Sequence, residues 1–169
     1  ACGFIGIWAS RDDGFCMGYT GDYVELHVLS NFSFLRGASH PEELVAEASR
    51  LGYAGLALTD ECSLAGVVKA HLAARRLGLK LIIGSEFRLE DGLRFILLAM
   101  DRSGYAQLSA LITQGRRSAS KGSYRLYRQD VADQPMDRCL VIWLPGIEVD
   151  PQQGAWLMRQ FPHRAWLGV

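Results

Sequence analysis

This sequence lacks several things, and each absence excludes something. No stretch approaches the roughly eighteen consecutive apolar residues that a membrane-crossing helix needs, although 49% of the chain is hydrophobic. Neither sign of charge is in excess: 18 lysines and arginines balance 18 aspartates and glutamates, so bulk charge argues neither for nor against a nucleic-acid partner. The 4 cysteines (Cys2, Cys16, Cys62 and Cys139) form no CxxC pair. They read as reduced thiols of a cytoplasmic protein. There is no internal repeat and no low-complexity tract. The first residues lack the basic start and long apolar core of a secretory signal. A histidine that ends a strand-like run, His27, lacks a second histidine two positions on, where Leu29 stands.

What is present suffices for one domain with a real core, since the chain has 169 residues. Residues 1–22 mix Gly, Asp and aromatics without a period and read as a leader or extension with little order. From residue 23 to 87 the pattern predicts β-α-β-α-β with parallel pairing. Tyr23 to Leu29 is the first strand. Ser39 is the expected cap of a helix with Pro41 in its first turn and Leu44, Val45, Ala48 and Leu51 on its apolar face. "AGLALTD" is the second strand. Ser63 is the expected cap of a second helix, with an apolar stripe of Leu64, Val67, Val68, His71 and Leu72 and a stop at Gly78. "LKLIIGSEF" is the third strand, continuous enough to be covered on both faces.

"FRLEDGLRFILLAM" reads as a hairpin. A helix from Ser103 to Gly115 follows, with Tyr105, Leu108, Leu111 and Ile112 inward. Residues 116–128 read as a basic loop. "CLVIWL" is a buried strand, Pro151 opens a helix, and "RAWLGV" reads as a last buried strand, which suggests a portion of a larger protein.

Side chains just past the carboxyl ends of parallel strands converge on one mouth. Those positions hold His27 after the first strand, Thr59, Asp60 and Glu61 after the second, and Ser85 and Glu86 after the third. A pair of zinc ions would want several nitrogen ligands, and this mouth offers one. One hard ion, Mg²⁺ or Mn²⁺, could use Asp60, Glu61 and Glu86. Clustered carboxylates repel unless a cation sits among them, and Arg36 could fill that role without a metal. Cys62 is a candidate soft ligand beside Glu61. His40 is expected at a helix start, His71 beside a helix stripe and His163 near the chain end, none with ligand spacing. In the basic loop, Arg116, Arg117, Lys121, Arg125 and Arg128 alternate with Tyr124 and Tyr127. That composition could track phosphates and stack bases, or belong to a solvated loop or one that faces another domain.

The segments "ELHVLSNFSFLRGASHPEELV", "LALTDECSLAGVVKAH", "LKLIIGSEFRL" and "SALITQGRRSASKGSYRLYR" closely resemble the amino-terminal PHP (polymerase and histidinol phosphatase) domain of bacterial C-family DNA polymerases, the error-prone branch above all. The likeness covers residues 23–169. It implies an α/β fold, the first part of a distorted seven-stranded β/α barrel. It also implies that His27 matches the first His of a His-x-His motif while Leu29 replaces the second. Arg36 stands where metal-binding relatives carry an acid. Asp60 matches the Asp of Thr-Asp-His while Glu61 replaces its His. Glu86 matches a ligand glutamate, and Arg94 occupies another histidine position. The site is then a degenerate metal site in which arginines supply the neutralising charge.

The implied function is that of a structural and docking portion of a DNA-directed DNA polymerase working past damage. Its partners would be the rest of the polymerase chain, DNA through the parent, a sliding clamp and accessory mutagenesis proteins. No cofactor, or at most one divalent ion, is expected. The competing readings are a metal-dependent phosphoesterase of the histidinol-phosphatase kind and a nucleic-acid-binding module resting on the basic loop.

Overall fold

The computed structural model describes residues 23–168; the expected extension 1–22 lies outside them. Six strands form one sheet in sequence order, β1 (Val24–Val28), β2 (Gly55–Leu58), β3 (Lys80–Arg88), β4 (Arg94–Ala99), β5 (Cys139–Trp143) and β6 (Ala165–Leu167). The sheet curls into half a barrel. The β1–β2, β2–β3 and β5–β6 pairs are parallel, and β3–β4 and β4–β5 are antiparallel. The predicted β-α-β-α-β start and the hairpin after it are therefore present.

β3 joins the two regimes. Lys80 to Ile83 pair with β2, and Gly84 to Arg88 pair with β4. Period-two alternation then sorts the side chains. Ala57, Ile96, Leu98, Ile142 and Leu144, with Leu26, Ile82 and Leu140, make a cluster contributed by the sheet alone. This is the inner face. Phe87, Phe95, Leu97 and Val141 point the other way and pack under α3 (Arg102–Arg117) and α5 (Pro151–Gln160). Leu56 and Leu58 pack under α1 (Pro41–Arg50) and α2 (Val67–Leu77).

Helix ends depart from the sequence reading in physically interpretable ways. The cap of α1 is His40, not Ser39; the Glu43 carboxylate accepts the His40 backbone N–H at 2.8 Å. α2 starts at Val67 after Gly66, and Ser63 instead holds a turn by accepting the Ala65 N–H at 3.2 Å. Its buried face is Val67, Ala70 and Ala74, while Val68, Leu72 and His71 are exposed. Counting large apolar residues misplaced that stripe, because alanines let α2 approach α1 closely and so occupy the inner positions. Gly78 ends α2 in the left-handed conformation, at φ 68°.

α3 is capped by Asp101, whose carboxylate accepts from the Gly104 N–H at 3.0 Å, and it runs through Gly115 to Arg117. Gly115 is a packing position, because a Cβ there would meet Leu126 at 3.0 Å. Tyr105, expected inward, is 39% exposed. The basic segment is not one loop: Arg116 and Arg117 end α3, and Arg128 opens the short helix α4 (Arg128–Ala132). β6 is an exposed edge rather than a buried strand, with Trp166 and Leu167 open to solvent.

Candidate functional site

β1 carries an irregularity that places His27. Glu25 pairs with Leu56 and Val28 with Leu58, so β1 has one residue more than β2 over that span. Glu25 and Val28 thus lie opposite helix-side residues, while Leu26 packs on the inner cluster and His27 reaches the inner-face Glu86. Regular alternation would have put His27 on the same face as Glu25. Glu25 itself is buried, accepting from Tyr23 Oη–H at 2.7 Å and the His27 N–H at 3.0 Å. Leu29 follows one residue beyond the end of β1 and is partly buried.

Glu86 is the hub. It is 1% exposed and sits on the inner face because it pairs with Ile96. Its Oε2 accepts from His27 Nε2–H at 2.8 Å and from Arg36 Nη2–H at 2.9 Å. Its Oε1 accepts from Arg94 Nη2–H at 3.1 Å, since Arg94 lies two residues from Ile96 along β4. Burial alone would push the Glu86 carboxyl up. The His27 hydrogen bond and the Arg36 guanidinium outweigh that and hold it down at about 2. Because Glu86 is ionised, His27 must donate, which fixes the proton on Nε2.

Arg36 forks between two acids, its Nη1–H reaching Glu61 Oε2 at 2.7 Å. Desolvation opposes its charge, but the bonds to Glu86 and Glu61 more than compensate and push its pKa up. The other Glu61 oxygen, Oε1, accepts from Tyr124 Oη–H at 2.8 Å, and Tyr124 Oη accepts the Arg88 N–H at 2.9 Å. Burial, and next the Glu61 charge, push the Tyr124 phenol up. Glu61 also bridges Glu86 in parallel β fashion beyond β2.

Asp60 does not share this network. Its Oδ1 accepts from the Ser30 N–H at 2.8 Å and Ser33 Oγ–H at 2.7 Å, and its Oδ2 from Ser30 Oγ–H at 2.6 Å. The structure thus brings His27, Glu61, Glu86, Arg36 and Arg94 together, and turns Asp60 toward the loop between β1 and α1. Reading strand ends located the group; nothing in that reading distinguished Asp60, whose partners are two serines in a loop.

Two residues of the basic segment take part in the mouth in a way its composition does not disclose. Tyr124, open by its setting to base stacking or to an interdomain contact, clips Glu61. Arg116, open in the same way to a phosphate or to another domain, is engaged within this chain. It donates to the Cys62 carbonyl at 3.1 and 3.0 Å and to the Glu61 carbonyl at 3.3 Å, with its guanidinium over the Tyr124 ring. Arg128 pairs with Asp91 and lies over Trp156. Arg117, Lys121 and Arg125 are exposed. The Cys62 thiol is fully buried, and burial pushes it up to about 11, so at neutral pH it is the thiol and not a thiolate ligand. His40 hydrogen-bonds Asn31, and His71 is exposed on α2.

A divalent ion needs free lone pairs, and these residues offer few. Each Glu86 and Glu61 oxygen and both Asp60 oxygens accept at least one protein donor, and His27 Nε2 carries a proton directed at Glu86. Two guanidinium cations already stand beside the carboxylates. The donor set therefore does not fit a metal ion. Among the described residues, no three His, Cys, Asp or Glu side chains are grouped to hold one.

A curled α/β half-barrel with a polar mouth of strand-end residues defines the class. The PHP domain family profile matches residues 25–141, and the chain belongs to that family. An error-prone DNA polymerase of Methylococcus capsulatus is 68% identical over 147 residues, covering 87% of this chain and 14% of that protein. An error-prone DNA polymerase of Pseudomonas aeruginosa is 58% identical over 147 residues, with the same coverage. The chain therefore spans about one-seventh of the length of these relatives. An amidohydrolase from Chromobacterium violaceum is similar in structure at a TM-score of 0.48 and 28% identity, over 56% of this chain and 34% of that one. No helix among the described residues is long and apolar enough to cross a membrane.

Proposed function

We propose that this chain is the PHP portion of an error-prone DNA polymerase, with a mouth that is structural rather than hydrolytic. The observation that carries the second half is the occupation of Glu86 by His27, Arg36 and Arg94. An arginine fork does for the carboxylates what an ion would do, without supplying a Lewis acid or an activated water. Nucleotidyl transfer, translesion synthesis and DNA repair belong to the longer polymerase chain, acting in the cytoplasm. Its partners are DNA, a sliding clamp and accessory mutagenesis proteins. The mouth then serves as a rigid base on which the rest of that chain docks. In this reading His27, Asp60, Glu61 and Glu86 mark a vestigial site, and Arg117, Lys121 and Arg125 remain free to meet DNA or a neighbouring domain.

Metal analysis of the purified chain, together with hydrolysis of a generic phosphate ester, tests the closed mouth. The expected result is neither stoichiometric metal nor turnover; finding both would establish the phosphoesterase reading instead. Extension of a primer across a damaged template by the longer polymerase tests the parent activity.

A further inference from the structure

The loop between β1 and α1 carries the most exposed pair of large apolar neighbours among the described residues: Phe34 is 84% exposed and Leu35 is 90% exposed. Leu35 also adopts φ 62°, a conformation that a branched side chain rarely takes. Neither feature reflects a loose loop. Asp60 holds Ser30 and Ser33 with three hydrogen bonds. Ser33 Oγ accepts the Glu61 N–H at 3.0 Å, and the Ser33 carbonyl accepts from the N–H groups of Arg36 and Gly37. Arg36, next to the tip, is fixed on Glu61 and Glu86. Asn31 N–H reaches the Ser39 carbonyl at 2.9 Å, and Phe32 packs where Gly66 leaves room. The residues on both sides of the tip are tied down, and the side chains of Phe34 and Leu35 are left outside.

We propose that Phe34 and Leu35 form a preorganised apolar knob that inserts into an apolar pocket on another domain of the same longer polymerase chain. This rests on the reading above and names the surface through which the mouth would dock. The occupant follows from two observations. The relatives carry about six-sevenths of their length outside the matched region. From Val28 to Ser39 the only charged residue is Arg36, already engaged by two carboxylates, so the knob offers shape and apolar area with no free charge to steer a transient partner. Holding the tip rigid in advance removes the ordering cost of docking. The network inside the mouth would thus set the position of a contact outside it.

The test introduces Leu35→Cys, with Cys2 and Cys16 changed to Ser, into this chain and into the longer polymerase that contains it. Cys62 and Cys139 are buried and stay silent. The readout is the rate of maleimide modification at position 35. We expect fast labelling in this chain and labelling about tenfold or more slower in a polymerase that still extends primers. Equal rates in such a polymerase would overturn the knob while leaving the polymerase reading intact. Slowing in the short chain that grows with its concentration would assign the surface to self-association and overturn it too. If Leu35→Cys fails to fold, Phe34→Ser carries the same question. The longer chain should then become more sensitive to protease between its domains, with this chain's own melting unchanged; unaltered proteolysis would count against docking.

Discussion

Glu86 shows how one residue can be both buried and charged. Taking an isolated carboxylate out of water is unfavourable by several kcal/mol, and only three donors from three different segments make its ionisation tolerable. Its carboxyl lies near 2 against an ordinary 4.5. A depressed carboxyl contributes stability that is fully present above its unfolded value and is lost as pH falls through the folded one. The window is therefore pH 4.5 down to about 2, and the linked term amounts to roughly 3 kcal/mol. Urea unfolding of Glu86→Gln should show about 2–4 kcal/mol less stability at neutral pH, because Arg94 loses its carboxylate partner and Arg36 one of its two. It should also show a flatter decline than wild type through that acid window. Arg36→Ala leaves Glu61 and Glu86 facing one another. We expect about 1–3 kcal/mol of destabilisation, tempered by the partial exposure of Arg36. We also expect thermal stability in that variant to rise with millimolar Mn²⁺, where the wild type does not respond.

At the scale of elements, the loop between β1 and α1 behaves as a small structural unit anchored on the end of β2. Ser33 both donates to Asp60 and accepts from Glu61. Ser33→Ala should cost about 1–3 kcal/mol, because Asp60 would be left buried with one donor fewer. Amide exchange should speed up most at residues 30–37, ahead of the sheet. This unit marks the limit of what the sequence disclosed. The succession of strands and helices and the hairpin follow from hydrophobic periodicity, and the company of His27, Glu61 and Glu86 follows from the rule that strand ends converge, although regular alternation would have turned His27 away. The local extra residue in β1 left no trace in composition. Asp60 could not be told from its neighbours because its partners lie 27 and 30 residues away. The part played by Tyr124 and Arg116 was not legible because a basic, aromatic segment reads the same whether it faces solvent, a partner or the wall of its own domain. The α2 stripe went astray for a related reason: alanine scores low in hydrophobicity yet is what close helix packing requires.

The whole molecule depends on β3 serving two sheet regimes in succession. The parallel half of the sheet bears α1, α2 and His27, Arg36 and Glu61 of the mouth, and the antiparallel half bears Glu86, Arg94, α3 and the largest buried cluster. The pairing passes from β2 to β4 between Ile83 and Gly84. A Cβ at Gly84 would come within 2.7 Å of the Leu97 carbonyl oxygen and of Leu98 Cδ2, and 3.0 Å from Thr59 Cγ2. The first contact is backbone in the neighbouring strand and cannot swing aside. Gly84→Ala must therefore separate β3 from β4 or tilt β3 away from the end of β2, next to the position where Glu86 N–H reaches the Thr59 carbonyl. Overpacking of this kind costs about 1–3 kcal/mol, and because both halves share the strand the loss should appear in a single cooperative transition. Circular dichroism and tryptophan fluorescence should report the same lowered midpoint, since Trp143 lies in β5 of the antiparallel half while the helical signal includes α1 and α2 of the parallel half. Two separated transitions would mean that the halves fold independently, and the arginine-filled mouth, with Glu86 and Arg94 on one half and His27 and Arg36 on the other, would then come apart at the first of them.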